Sequence, residues 1–334
     1  MAKREILVFD IGGTNVRGAV YDPASGRLAR SLRRPTRNFL TRPGSTAEAL
    51  FEGTLEEAAA VGRALTDGAA PAAVVLGWPG PIAPDGTALR SPTILGPLDR
   101  PIPVRTYAAQ LWPSSELFVL NDLTCAGYAY ARLGNGDFCI VTVGSGIGNK
   151  VFVAGKPVVG PCGRGGEIGH IAVHRPEGCP EEAIPRGAWL GEISSGRGTL
   201  AVARRLASAR PETFARSPLA TAGPQTASRE LVAAFLAGDP FSREAVAIAA
   251  APLAHALAFV HVSVGTERFI ITGGFATALG ERYRRLLVTG AHTSAWDIGQ
   301  DWEAMIELGD ERDGLLGAGA VARELLGSKA LAAA

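Results

Sequence analysis

Cysteine, methionine and charge are all in short supply in this chain. Its 334 residues include four cysteines and two methionines, and only 19% are charged. The cysteines stand at 125, 139, 162 and 179, in no Cys-x-x-Cys pair, which argues against a disulfide scaffold or a compact zinc knuckle. The formal net charge is +1. A balance so near neutral leaves no basic footprint for nucleic acid and no polybasic patch for a membrane surface, so a small or neutral ligand is the expected partner. The opening residues MAKREILVFD run straight into a strand pattern, without the apolar stretch and small-residue cleavage site of a secretory signal. No apolar run reaches the length of a membrane span. Together these absences predict a reduced, cytoplasmic protein with neither a nucleic-acid nor a membrane partner.

Apolar residues (47%) and glycine (42 residues) are plentiful. The chain can bury a large core and is long enough for two domains of ordinary size. It is organised around Leu117 to Gly127, LFVLNDLTCAG. Leu117 to Leu120 read as a short buried strand. Asn121 and Asp122 stand at its C-terminal end, before small residues that can open a helix. In open α/β sheets, ligands bind at the carboxyl ends of strands. A carboxylate there can take the proton of a substrate hydroxyl, and the neighbouring amide can hold that hydroxyl. Alone, an Asn-Asp pair also fits an ordinary helix cap.

Around this stretch, Glu5 to Asp10 is a strand, IGGTN a turn, and Val16 to Tyr21 a return strand. A helix spans 45–65, a buried strand 72–77 and a short helix 107–112. A second hairpin follows: strand 138–143, turn GSGIGN, return strand 150–159. A short strand at 171–174 and an irregular polar stretch at 177–187 come next. A helix covers 195–209, an exposed loop 210–228, and helices 230–237 and 242–264. A strand at 269–271 leads through a Gly-Gly turn into a helix, and the last helix is 314–326, followed by a tail expected to fray.

Four constellations carry chemistry. Asp10-Ile-Gly12-Gly13-Thr14-Asn15 exposes backbone N–H groups that can bind phosphate oxygens, and Asp10 can position magnesium through water. An ordinary hairpin with a capped turn fits equally well. Gly144-Ser145-Gly146 repeats that logic in the second hairpin. It is neither a dinucleotide fingerprint nor a Walker A loop. Gly273 and Gly274 follow a strand and suit a flat ring such as adenine, though taken alone a helix-opening turn is the plainer reading. In GGEIGH, Glu167 and His170 can hydrogen-bond adjacent hydroxyls of a polyol, or serve as a metal pair or a capped turn.

Taken in order, FDIGGTN, GWPGPIAPDGTALRSPTILG, LNDLTCAG, VTVGSGIGN, GGEIGHIAV, ITGGF and GLLGAGA resemble the ROK family of sugar kinases and related repressors. The resemblance implies an α/β, two-domain actin-like (RNase H-like) ATPase fold with a cleft between the domains. It places a small domain at 1–120 plus about 315–334 and a large domain at 121–314, with a hinge near 120 and 314. It makes Asp122 the catalytic base and gives Asn121, Glu167 and His170 to the substrate hydroxyls. It gives Gly12, Gly13, Thr14, Asn15, Gly144, Ser145 and Gly146 to phosphate, Gly273 and Gly274 to adenosine, and ATP and magnesium as cofactors. It also implies a homodimer.

The sequence departs from the family pattern in three places. Only Cys179 stands where the family often has three zinc-binding cysteines, and one thiolate with His170 cannot close a four-ligand site, so no zinc is expected. The family's further sugar-binding Glu falls on Gly191, with Glu192 one place off. Thr93 stands where Asn is usual. The last two changes fall at the anomeric side of a sugar. They predict a kinase for a primary hydroxyl of a hexose or a hexose-like, valiolone-type cyclitol, with an ordinary glucokinase as the alternative within the class. A non-catalytic sugar sensor or repressor is the alternative outside it. A repressor would need a helix-turn-helix ahead of the first phosphate loop.

Overall fold

The computed structural model describes residues 5–131, 136–175, 178–222 and 228–332. They gather into two compact units. Unit one comprises Met1–Gly136, Phe152–Gly165 and Arg312–Ala334. Unit two comprises Asp137–Val151 and Gly166–Glu311.

Unit one opens with β1 (Ile6–Ile11), β2 (Asn15–Asp22) and β3 (Arg27–Pro35). Then come α1 (Ala47–Thr66), β4 (Ala73–Trp78), α2 (Pro92–Leu95), α3 (Val104–Leu111), β5 (Glu116–Asn121) and α4 (Asp122–Ala131). The sheet order is β3-β2-β1-β4-β5. β1 pairs antiparallel with β2 and parallel with β4, and β4 pairs parallel with β5. Side chains alternate across a strand, so β1 feeds two cores. Leu7, Phe9 and Ile11 pack with Leu50, Phe51, Leu55 and Val61 of α1. Ile6 and Val8 pack with Cys125 of α4 and with Leu315, Ala318 and Ala322 near the C-terminus. α4, which follows the boundary expected at residue 120, falls in unit one.

The chain continues through β6 (Phe138–Val143), β7 (Ile147–Val153) and β8 (Lys156–Pro157), then α5 (Leu190–Ser194), α6 (Gly196–Ala209), α7 (Pro211–Phe214), α8 (Ser228–Ala237) and α9 (Pro240–Val264). It ends with β9 (Phe269–Thr272), α10 (Gly274–Leu279), α11 (Glu281–Ser294), α12 (Trp302–Met305), β10 (Ile306–Leu308) and α13 (Asp313–Ala332), the last of these in unit one. The second sheet runs β10-β9-β6-β7-β8. Read from β8, that is the order of the first sheet again: third, second, first, fourth, fifth strand.

α9 is long and apolar enough to cross a membrane by length and composition, which corrects the expectation that no apolar run is so long. Most of it is buried. Val246, Leu253 and Leu257 share a core with Cys139, Val141, Phe269 and Ile271 of β6 and β9, so α9 is the core helix of unit two.

Other expectations shift too. The return strand of the second hairpin breaks at a turn holding Ala154 and Gly155, because both have positive φ, and resumes as β8. Residues 171–174 contribute only an isolated bridge between Ala172 and Trp189. The stretch expected to be an exposed loop carries α7 and a 3₁₀ turn at Pro218–Ala222. Its residues 223–227, with Glu177 of the expected irregular stretch, lie outside the described residues. α13 runs on through the tail expected to fray.

Candidate active site

In unit one, Asp10 is the last but one residue of β1 and Asn121 the last of β5, with Gly77 and Trp78 of β4 between them in register. Three parallel strands therefore bring the residues singled out in the sequence to one edge. Asp122 is the first residue of α4. Its Oδ1 accepts the Leu123 N–H and the Asn121 Nδ2 amide, both at 2.9 Å. Asn121 also caps the helix, since its Oδ1 accepts the Thr124 N–H at 3.0 Å. Its second amide hydrogen goes to the Gly80 carbonyl at 3.0 Å. In this arrangement the Asn121 amide holds the Asp122 carboxylate rather than standing open to a hydroxyl. Gly80 has φ +107, and a Cβ there would strike the Arg90 carbonyl oxygen, so only glycine supplies that acceptor. Burial and the nearby Asp122 and Asp10 carboxylates push the Cys125 thiol well up, so Cys125 stays a neutral packing residue under both acids.

Asp10 carries the Arg17 guanidinium at 3.4 Å and packs against Gly314 at the start of α13. In the following turn, the Gly12 N–H closes onto the Asn15 carbonyl at 2.9 Å. The turn's carbonyls are drawn to one side. Thr36 Oγ1 donates to Gly12 O at 2.7 Å, Asn38 Nδ2 donates to Gly13 O at 2.5 Å, and the Thr36 N–H donates to Thr14 O at 2.9 Å. Among the described residues the N–H groups of Gly13 and Thr14 have no partner. Such donors are suited to an anion. Sequence reading missed Thr36 and Asn38, because loop polar residues carry no periodic signal.

Thr93 lies on α2. Its hydroxyl is buried and has no partner among the described residues.

In unit two, the Gly144–Gly146 turn is built the same way. The Gly144 N–H closes onto Gly146 O at 3.0 Å, the Gly196 N–H donates to Gly144 O at 2.8 Å, and Arg197 Nε donates to Ser145 O at 2.7 Å. The N–H groups of Ser145 and Gly146 have no partner among the described residues. Burial lowers the Arg197 guanidinium from its ordinary value. Gly273 has φ +96 and lies against Val143 O and Thr142 Oγ1, while a Cβ on Gly274 would meet nothing within 4 Å. The Phe275 ring lies against Gly196, so the second glycine turn, the start of α6 and the Gly273–Gly274 corner form one assembly.

Glu167 precedes a 3₁₀ turn, Ile168–His170. Lys150 of β7 is only 1% exposed and its Nζ lies 3.7 Å from Glu167 Oε1. Burial raises the Glu167 carboxyl, against the opposing pull of Lys150 and His170. The exposed His170 ring meets the half-exposed Trp189 edge to face at 6.4 Å. Glu192 is not gathered with them. Its Oε2 accepts the Trp189 N–H at 3.0 Å in a capping box on α5, and Gly191 faces the Gly169 carbonyl. Lys150 and Trp189 were not read from the sequence, and Asn149 was read only as the end of the second glycine turn. Among the described residues no three of His, Cys, Asp and Glu gather as a metal site. Cys179 packs into an apolar cluster with Ile184 and Leu219.

The ROK family model matches residues 6–323. The chain is 36% identical over 346 residues to a C(7)-cyclitol 7-kinase of Streptomyces hygroscopicus subsp. jinggangensis (strain 5008), covering 98% of this chain and 96% of that protein. It is 37% identical over 343 residues to a C(7)-cyclitol 7-kinase of Streptomyces hygroscopicus subsp. limoneus, covering 97% and 95%. The crystal structure of a ROK family glucokinase from Streptomyces griseus in complex with glucose and AMPPNP superposes with a TM-score of 0.76 at 24% identity, covering 96% of this chain and 99% of that one. The fold is therefore the actin-like ATPase fold, and with a match running almost from end to end, the chain belongs to the ROK family.

Proposed function

We propose that this chain is an ATP-dependent kinase that phosphorylates a primary hydroxyl of a C7 cyclitol. Similarity over nearly its whole length to two proteins named for that activity supports the substrate. The observation that carries the chemistry is the Asp122 carboxylate, fixed through Oδ1 by Asn121 and Leu123 at the end of β5. Asp122 takes the acceptor's hydroxyl proton as that oxygen bonds to the γ-phosphorus and the bond to the β–γ bridging oxygen breaks. A positioned base of this kind contributes about 10²–10⁴-fold.

Unit one on this reading supplies the base and the first phosphate loop, where Gly13 and Thr14 offer N–H groups to phosphate oxygens. In unit two, Ser145 and Gly146 offer N–H donors of the same kind, and the open face of Gly274 suits an adenine ring. Asp10 is a single part-exposed carboxylate. That suits magnesium, which keeps most of its waters and takes one or two carboxylates beside substrate phosphates. Such an ion neutralises charge on the phosphates. Glu167 and His170 hold acceptor hydroxyls. Glu192 is spent on its helix cap and Gly191 has no side chain. The contact a sugar would use near its anomeric carbon is thus missing, which favours a cyclitol over glucose. ATP chemistry of this kind belongs in the cytoplasm. Phe259 and Val262, exposed one helical turn apart on α9, support a homodimer.

A coupled kinase assay on a valiolone-type cyclitol, glucose and amino sugars tests the reading. The cyclitol is expected to give the highest kcat/KM. A tenfold or greater advantage for glucose would make the protein an ordinary glucokinase, and no turnover on any acceptor would favour a sensor.

A further inference from the structure

We propose that Lys150 is a positioning residue that supports the Glu167 carboxylate from beneath for acceptor recognition. The inference rests on the kinase reading above and adds to it a residue that touches no substrate.

The geometry separates the two members of the pair. Lys150 is 1% exposed, whereas the Glu167 side chain is 36% exposed. The ammonium thus lies on the protein side of the carboxylate, and the carboxylate faces outward. A buried ammonium is costly unless it is paired, and Glu167 is a partner of Lys150 here. The Lys150 stem runs beside Gly166, where an added Cβ would lie 3.1 Å from Lys150 Cδ. The preceding residue grips the same segment. The Asn149 N–H donates to Gly166 O at 3.2 Å, and Asn149 Oδ1 accepts the Ile168 N–H at 3.2 Å. Asn149 Nδ2 is itself anchored on Cys139 Sγ at 3.7 Å. Two consecutive residues of one strand therefore fix the backbone on both sides of Glu167 and the charge beneath it.

Stability alone does not account for this arrangement. Replacing a buried ion pair by apolar groups is often neutral or stabilising. A lysine that keeps an acceptor-facing carboxylate ionised has a functional rationale instead. The charged groups facing Glu167 are Lys150 from β7 and His170 from its own turn. Glu192, on the packed helix α5, turns away to the Trp189 N–H.

The test uses the full chain as Lys150→Met, Glu167→Gln and the double variant, with Lys150→Gln in place of Lys150→Met should that variant not fold. Lys150→Met is expected to raise the acceptor KM about tenfold, the loss of roughly one charge-assisted hydrogen bond. The ATP KM should stay within about twofold, which a general loss of structure would not allow. Without the ammonium, the Glu167 carboxyl rises further, so the acid limb of kcat/KM for the acceptor moves to higher pH. In the Glu167→Gln background, Lys150→Met should change the acceptor KM by less than about twofold. Lys150→Arg, which keeps the charge, should restore the wild-type profile. A ¹³C NMR titration of glutamate carboxyls, with Glu167 assigned by its loss in Glu167→Gln, should show that resonance titrating at higher pH in Lys150→Met. An unchanged acceptor KM in Lys150→Met, or an unmoved Glu167 resonance, would overturn the proposal. If the wild type turns over no acceptor, the kinase reading fails by itself, and the NMR titration still decides whether Lys150 sets the charge of Glu167.

Discussion

Asn121 donates one amide hydrogen to Asp122 and the other to the Gly80 carbonyl, while its own carbonyl caps α4 at the Thr124 N–H. One side chain thereby ties the end of a strand, the start of a helix and a glycine turn to a single carboxylate. Asn121→Ala removes all three bonds. The lost cap should cost about 0.5–2 kcal/mol of stability. The loosened carboxylate should lower kcat about tenfold or more, since the base depends on its placement. Urea unfolding and steady-state kinetics on the same preparation check both.

Gly317 marks where α13 crosses α4, since a Cβ there would fall on the Cys125 carbonyl oxygen. The Tyr130 hydroxyl on α4 donates to Asp313 Oδ2 at 2.6 Å and locks the same pair of helices. Gly317→Ala should therefore destabilise the protein by about 1–3 kcal/mol through overpacking. Chemical denaturation measures it, and a midpoint equal to wild type would show that the helices can part at no cost.

These elements differ in how far the sequence discloses them. β1 and β4 are legible because their apolar runs are buried on both faces, and β5 because its run Leu117–Leu120 is apolar throughout, though only Leu117 and Val119 are buried. α9 is legible by its length. β3 is not, because RLARSLRRP is almost wholly exposed. It is an edge strand whose arginines guard it, and it is a strand only by pairing with β2. β10 has three residues and relies on β9 in the same way. At the site, Asp10, Asp122 and the glycine turns were legible from motif chemistry. Lys150 was hidden because a lysine after a turn reads as a solvated residue, and its burial exists only once the 166–168 segment is folded over it. The capping box that Glu192 makes with the Trp189 N–H was not legible either, because the box depends on where α5 starts.

The two carboxylates Glu167 and Glu192 should separate cleanly by mutation. Glu167→Gln keeps the shape but loses a charged acceptor. It should raise the acceptor KM about 5–150-fold, the range of one lost hydrogen bond of roughly 1–3 kcal/mol. Glu192→Gln keeps a capping side chain and should leave the acceptor KM within about twofold. A large effect at Glu192 would show that its carboxylate leaves the cap when the acceptor binds.

Acidity should weaken acceptor binding earlier than an ordinary glutamate would. Burial raises the Glu167 carboxyl despite Lys150 and His170, so protonation begins at a higher pH than usual. Protonation turns one of its two acceptor oxygens into a donor and removes the charge that strengthens the bonds to hydroxyls. The kcat/KM for the acceptor should therefore fall, as pH is lowered, on a limb lying above the normal glutamate range near 4.3. Glu167→Gln should abolish that limb. Persistence of the limb in Glu167→Gln would assign it to another group.

The most direct test is the turnover of Asp122→Asn. Asparagine keeps the size of the side chain and an oxygen that can accept the Asn121 and Leu123 hydrogens, but it cannot take a proton from a hydroxyl. If Asp122 is the base, kcat on the preferred acceptor falls about 10²-fold or more, while ATP affinity and the unfolding midpoint remain near wild type. A variant that binds ATP normally and still turns over at near the wild-type rate would contradict the account.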